Sequence, residues 1–140
     1  MYTILLSIHS IVRWFILVAF VCALIRAFYG WSLKKEFGKA DKQLLLITTV
    51  LAHLQLFVGV WLYFISPIVQ FFIHNFHVAV KQKEFRFFGM EHSLTMLLAI
   101  VVISIGATIA RRKQVDATKF KTIAIWYGIA LILILSAIPR

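Results

Sequence analysis

Acidic side chains are scarce in this chain: Asp and Glu together number five, against 15 Lys and Arg, for a formal net charge of +10. Charge of either sign is also sparse, at 14% of 140 residues, while 62% are hydrophobic and the mean hydropathy is +0.93. That balance excludes a water-soluble domain and points to an integral membrane protein. Cysteine is confined to Cys22, inside an apolar run, so no disulfide framework is available and the redox compartment cannot be read from it. No carboxylate lies deep in an apolar stretch, which argues against a proton-coupled exporter; Glu91 stands near the end of one. Low-complexity segments and internal repeats are also missing, so the chain reads as one domain. No basic stretch precedes the first apolar run, which is longer than a signal peptide's core, so that run is expected to remain as an anchor.

Four apolar stretches are long enough to cross a bilayer, since about 20 helical residues span about 30 Å of hydrocarbon. They are Ile4–Tyr29, Leu44–Ser66, Phe88–Ala110 and Thr122–Pro139. The first connection carries Lys34, Lys35, Lys39 and Lys42, with Arg26 just before it, and the third carries Arg111, Arg112, Lys113, Lys119 and Lys121. Lys81, Lys83 and Arg86 are spread over a longer, aromatic-rich second connection. By the positive-inside bias, connections one and three are cytoplasmic and both termini lie outside, the expectation being a bacterial inner membrane. The basic residues thus sit beside span ends, where topology and anionic lipid account for them, and no nucleic-acid partner is expected.

Short connections predict an all-α, antiparallel up-and-down four-helix bundle spanning residues 1–140. In the longer connection, Pro67 ends the second helix, and Ile68, Phe71, Phe72, Phe76 and Val80 recur near helical spacing with Gln70, His74 and Asn75 among them. Such a segment is expected to lie along the outer interface as an amphipathic helix. Tyr2, Tyr29, Trp31, Trp61 and Tyr63 stand near span ends, as interfacial anchors do.

Helix arithmetic then singles out two histidines. His9 lies 20 residues from Tyr29, and His92 lies 18 from Ala110. At about 1.5 Å per residue, the imidazoles stand roughly 30 and roughly 27 Å above the cytoplasmic edge. His53 lies 10 residues from Gln43, only about 15 Å above that edge. Facing supports the same pairing. On the third span His92, Thr95, Ala99, Gly106 and Ala110 form a stripe of small or polar residues that turns His92 inward. On the first, Arg13 follows His9 at i+4 and shares its face, where it could meet an anionic group or Glu91. On the second, Thr48, Ala52, Gln55, Gly59 and Ser66 form the corresponding stripe. His53 points roughly 200° from Gln55, so one of the two faces the bundle centre but hardly both.

Ionisable groups inside a bilayer are costly, so an intramembrane histidine starts as a functional hypothesis. Haem iron accepts imidazole from two sides, and a four-helix bundle can hold a porphyrin between helices. His9 and His92 are therefore candidate axial ligands of one haem b, with Arg13 beside a propionate and Gln55 or His53 lining a second cavity. The plainer readings are water or headgroup contacts for His9 and His92, an interhelical hydrogen bond for His53, a snorkelling anchor for Arg13, and solvation for His74 and His77. Gly59 and Gly106 are read as packing residues.

The segments His9-Ser-Ile-Val-Arg13-Trp14, His53-Leu-Gln55-Leu-Phe-Val-Gly59 and Glu91-His92-Ser-Leu-Thr-Met96 resemble those of small four-helix cytochrome b-type membrane proteins. Their order is also similar to one half of the haem A synthase family. The resemblance implies haem ligation by histidines on alternate helices, carried over here onto His9 and His92. It covers most of the first three spans. The fourth has no histidine, which limits the expectation to a single haem near the outer face. The expected task is electron exchange with quinol or a redox protein, alone, as a homo-oligomer or as a subunit of a larger complex. Three alternatives stay open: a copper or zinc site built from His9, His74, His77 and His92; an accessory subunit that needs no histidine; and an enzyme acting on haem itself.

Overall fold

The computed structural model describes residues 1–139. Its elements are all helical: α1 (Tyr2–Ser32), α2 (Lys39–Ile65), α3 (Pro67–His74), α4 (Phe76–Ala79), α5 (Lys83–Arg86), a wide π-type turn (Phe87–Glu91), α6 (His92–Arg112) and α7 (Asp116–Ser136). Four helices are long and apolar enough to cross a membrane: α1, α2, the continuous stretch Lys83–Arg112, and α7. Inside the most apolar 18-residue window of each, only 17% to 33% of residues are buried by protein. The remainder exposes large apolar side chains such as Ile25, Phe57 and Ile132. A surface of that kind needs lipid rather than water around it.

The four long helices form a bundle in which α1 packs on α2 and α7, and α6 on α7 and α2. Its centre is built around Phe20, Ile103 and Tyr127, with Ala107, Ala124 and Ala130 among them. Small residues set the closest approaches, as expected where lipid removes the hydrophobic drive between helices. A β-carbon on Gly106 would lie 2.4 Å from Cβ of Trp126 on α7, and one on Gly30 would lie 2.6 Å from the Phe120 ring. The Phe20 and Tyr127 rings stack at 5.3 Å, and the Tyr127 hydroxyl meets Oγ1 of Thr49 on α2 at 2.7 Å.

Helix ends depart from the sequence expectation where polar groups reward extra turns. α1 runs on to Ser32, and α2 begins at Lys39 rather than Leu44. Its start is held by Asp41, whose Oδ2 accepts the Gly38 N–H at 2.9 Å while its carboxylate receives the Arg26 guanidinium at 2.7 and 3.2 Å. Between the two helices Lys34 takes φ +52°, and the Lys35 N–H reaches back to the Gly30 carbonyl at 2.9 Å, closing α1 with a Schellman turn. Pro67 does end α2, and it also opens α3 at a position where its missing N–H costs nothing. The rest of the second connection is three short helices rather than one. The first and third of them, α3 and α5, meet through the Phe71 and Phe85 rings, whose centroids are 4.5 Å apart with planes tilted by 40°.

A paired-histidine candidate site

The wide turn that precedes α6 determines how His92 is presented. Gly89 lies inside it, and a β-carbon there would fall 2.3 Å from the Phe72 ring, so only glycine admits α3 this close. The Gly89 carbonyl accepts the Tyr63 hydroxyl of α2 at 2.7 Å. Two other elements therefore pin the turn. Turns of this type leave the ordinary i→i−4 ladder and are frequent at functional sites.

His92 follows directly, and its Nδ1 meets the Ala137 carbonyl, just past the end of α7, at 2.7 Å. A carbonyl only accepts, so Nδ1 carries the proton and Nε2 keeps its lone pair in the neutral ring. That arrangement orients metal-ligating imidazoles generally. Phe87 and Phe88 flank the ring, at centroid separations of 5.6 and 6.4 Å.

His9 is placed from α1. Its Cε1 edge lies over Gly59 of α2, 3.4 Å from where a β-carbon would stand. Its own backbone carbonyl accepts Nε2 of Gln55, one turn earlier on α2, at 2.7 Å. The His9 and His92 ring centroids are 6.4 Å apart, with planes inclined at 75°. Arg13 lies one turn along α1 on the same face as His9. All four residues are half-buried.

Among the described residues, the buried side-chain polar atoms left without any hydrogen-bond partner are Nδ1 of His9, Nε of Arg13 and Oε1 of Gln55. Unpartnered buried polar atoms cost about 1–3 kcal/mol each, and here all three fall in one place. Arg13 also has no carboxylate partner among the described residues, because Glu91 is taken by Arg86 at 2.7 Å. Arg86 lies five residues from Glu91 on the same turn and reaches it first. Among the described residues the site therefore offers two imidazoles, a positive charge with no ion-pair partner, and a free amide acceptor.

His53 is not brought to this site. Its Nδ1 meets the Thr49 carbonyl at 2.7 Å and its Nε2 meets Ser104 Oγ of α6 at 3.1 Å. Ser104 is 12 residues from His92 along α6, about 18 Å away. Gln55 is the member of the alternative pair that turns to His9, and His53 bridges α2 to α6 instead. Nor do His74 and His77 join His9 and His92: no group of three or more His, Cys, Asp or Glu able to hold a metal ion occurs among the described residues.

Sequence reasoning missed the Ala137 carbonyl, the hydrogen bond from Tyr63 to Gly89 and the Arg26–Asp41 pair. Helix ends leave carbonyls unpaired, so Pro139 soon after α7 was the one available signal for the first. Comparison with protein families, curated proteins and solved structures returned no match to this chain.

Proposed function

We propose that this chain is a membrane b-type cytochrome that binds one haem b between His9 and His92 and acts in electron transfer with quinol or a redox partner. The observation that carries the reading is the pair of imidazoles 6.4 Å apart beside an arginine that forms no ion pair among the described residues. A metal ion about 2 Å from an imidazole nitrogen on each side separates those nitrogens by about 4 Å. One ring radius at each end brings the centroid separation close to the observed 6.4 Å. Two protein ligands are few for a bare zinc ion, which takes three or four. They suit a metal whose other positions are filled by a macrocycle, and the macrocycle's carboxylates suit Arg13.

When bound, the haem supplies a one-electron ferric–ferrous couple. The chain's own groups do the rest. His92 is oriented by its Nδ1–H donating to the Ala137 carbonyl, and His9 by its seat on Gly59. Arg13 neutralises negative charge, and the free Oε1 of Gln55 accepts a hydrogen bond from a bound group. Phe87 and Phe88 keep water from one side. With His9 and His92 both committed to holding it, the haem would supply electron transfer rather than oxygen activation.

The same reading sets the molecule in the membrane as an antiparallel bundle, with connections one and three cytoplasmic and both termini outside. The segment Pro67–Phe87 then lies along the outer interface and roofs the haem site. A bacterial inner membrane, with a quinol pool inside the bilayer and periplasmic redox proteins at its outer face, suits this placement.

The test is the reduced-minus-oxidised absorbance spectrum of the protein purified from a haem-replete host. A b-type spectrum is expected, lost in both His9→Ala and His92→Ala. Its full retention in both variants overturns the ligand assignment. A wild-type protein with bound copper or zinc and no haem absorbance favours the metal-site reading, and assembly of a variant lacking all five histidines into a larger complex favours an accessory role.

A further inference from the structure

A second site stands at the opposite, basic end of the bundle. There Lys42 of α2, Arg111 of α6 and Lys119 of α7 line a cleft of about 400 Å³ whose other walls are Phe37, Leu45 and Leu46. No carboxylate lines it, and none of the three cations forms an ion pair among the described residues. The Lys119 ammonium lies over the Phe37 ring at 5.2 Å, which draws it toward the cleft rather than outward. Three like charges around one depression repel one another, and an anion seated there relieves that repulsion.

The apolar part of the cleft gives the anion a chemical identity. Leu46 continues along α2 into Val50, Leu54 and Phe57, which share one face of the helix and are 58%, 53%, 48% and 63% exposed. A track of that kind leads from the cations along the lipid-facing surface. It matches a molecule with a phosphate at one end and acyl chains at the other.

We infer that this cleft is a binding site for an anionic phospholipid. Lys42, Arg111 and Lys119 hold the phosphate, Phe37 and Leu45 floor the glycerol region, and one acyl chain follows Leu46, Val50, Leu54 and Phe57. The site is independent of the haem reading, because it uses none of the same residues and its readout is lipid rather than absorbance.

Native mass spectrometry of the detergent-purified protein tests it, with phosphatidylglycerol, phosphatidylcholine and inorganic phosphate as separate probes. Retention of one phosphatidylglycerol and not of phosphatidylcholine is expected. A Lys42→Gln, Arg111→Gln, Lys119→Gln variant should hold it on the order of a hundredfold more weakly, from about a tenfold or smaller loss per cation. If that triple variant fails to fold, Lys119→Gln alone should weaken retention about fivefold. A charge-matched variant outside the cleft, Lys34→Gln, Lys35→Gln, Lys113→Gln, should retain lipid like the wild type. Equal retention of phosphatidylcholine, equal loss in the charge-matched variant, or full competition by millimolar inorganic phosphate each overturns the assignment.

Discussion

Replacing Gly59 tests the candidate site without deleting a ligand. A β-carbon there would stand 3.4 Å from Cε1 and 3.9 Å from Nδ1 of His9, which is ordinary van der Waals contact. Gly59→Ala should therefore leave the imidazole in place, and it removes a glycine that costs a helix interior up to about 1 kcal/mol relative to alanine. Gly59→Leu is different, because its further carbons need the volume that the imidazole edge occupies. Overpacking of this kind costs about 1–3 kcal/mol, and at about 1.4 kcal/mol per tenfold it becomes a roughly 5- to 150-fold loss of haem retention. The assay is the haem-to-protein ratio of purified protein, with far-ultraviolet circular dichroism reporting whether the helices have formed. The expected series is full haem in wild type and Gly59→Ala, and little in a folded Gly59→Leu. A folded Gly59→Leu with full haem content would refute the placement of His9, and loss of haem already in Gly59→Ala would refute the steric argument.

Further outcomes concern the frame around the site. Asp41→Ala should cost about 2–3 kcal/mol in thermal unfolding in detergent, because it leaves both the Gly38 N–H and the Arg26 guanidinium without their acceptor; an unchanged midpoint would show the pair to be idle. Lys34→Gly should stabilise by about 1 kcal/mol, since Lys34 closes α1 at φ +52°; destabilisation would contradict that left-handed closure. His53→Ala should lower stability by about 1 kcal/mol through loss of the Ser104 bond while leaving the haem spectrum unchanged, and a lost spectrum would bring His53 back as a ligand.

The four membrane-length helices were legible because apolar runs of that length have few alternatives. Their ends were less so: Lys39 and Lys42 looked like a loop until Asp41 joined Arg26, 15 residues earlier in the chain, and no local pattern announces a pair closed across a turn. Depth arithmetic brought His9 and His92 to one level from residue counts alone, and the rings do lie in contact range. The same arithmetic separated His53 and Gln55 by facing but could not choose between them, since both are polar and only the neighbouring helices decide. The contribution of α7 was invisible for a plainer reason. It is a backbone carbonyl, which every residue has, at a helix end whose position depends on packing.

The turn at Phe87–Glu91 also acts as a phase corrector within one continuous rod. Its wider winding carries extra chain, so the residues before it are rotated relative to α6 by about the 100° that one residue contributes. Each half can thus answer to its own neighbours: Phe85 to Phe71 on one side, His92 to Ala137 on the other. A single-residue deletion inside the turn would restore uniform winding and force a choice between those two sets of contacts. Length in this stretch is therefore constrained more tightly than identity. The chain should tolerate replacement of Met90, which carries none of the contacts described above, better than a change of one residue in count.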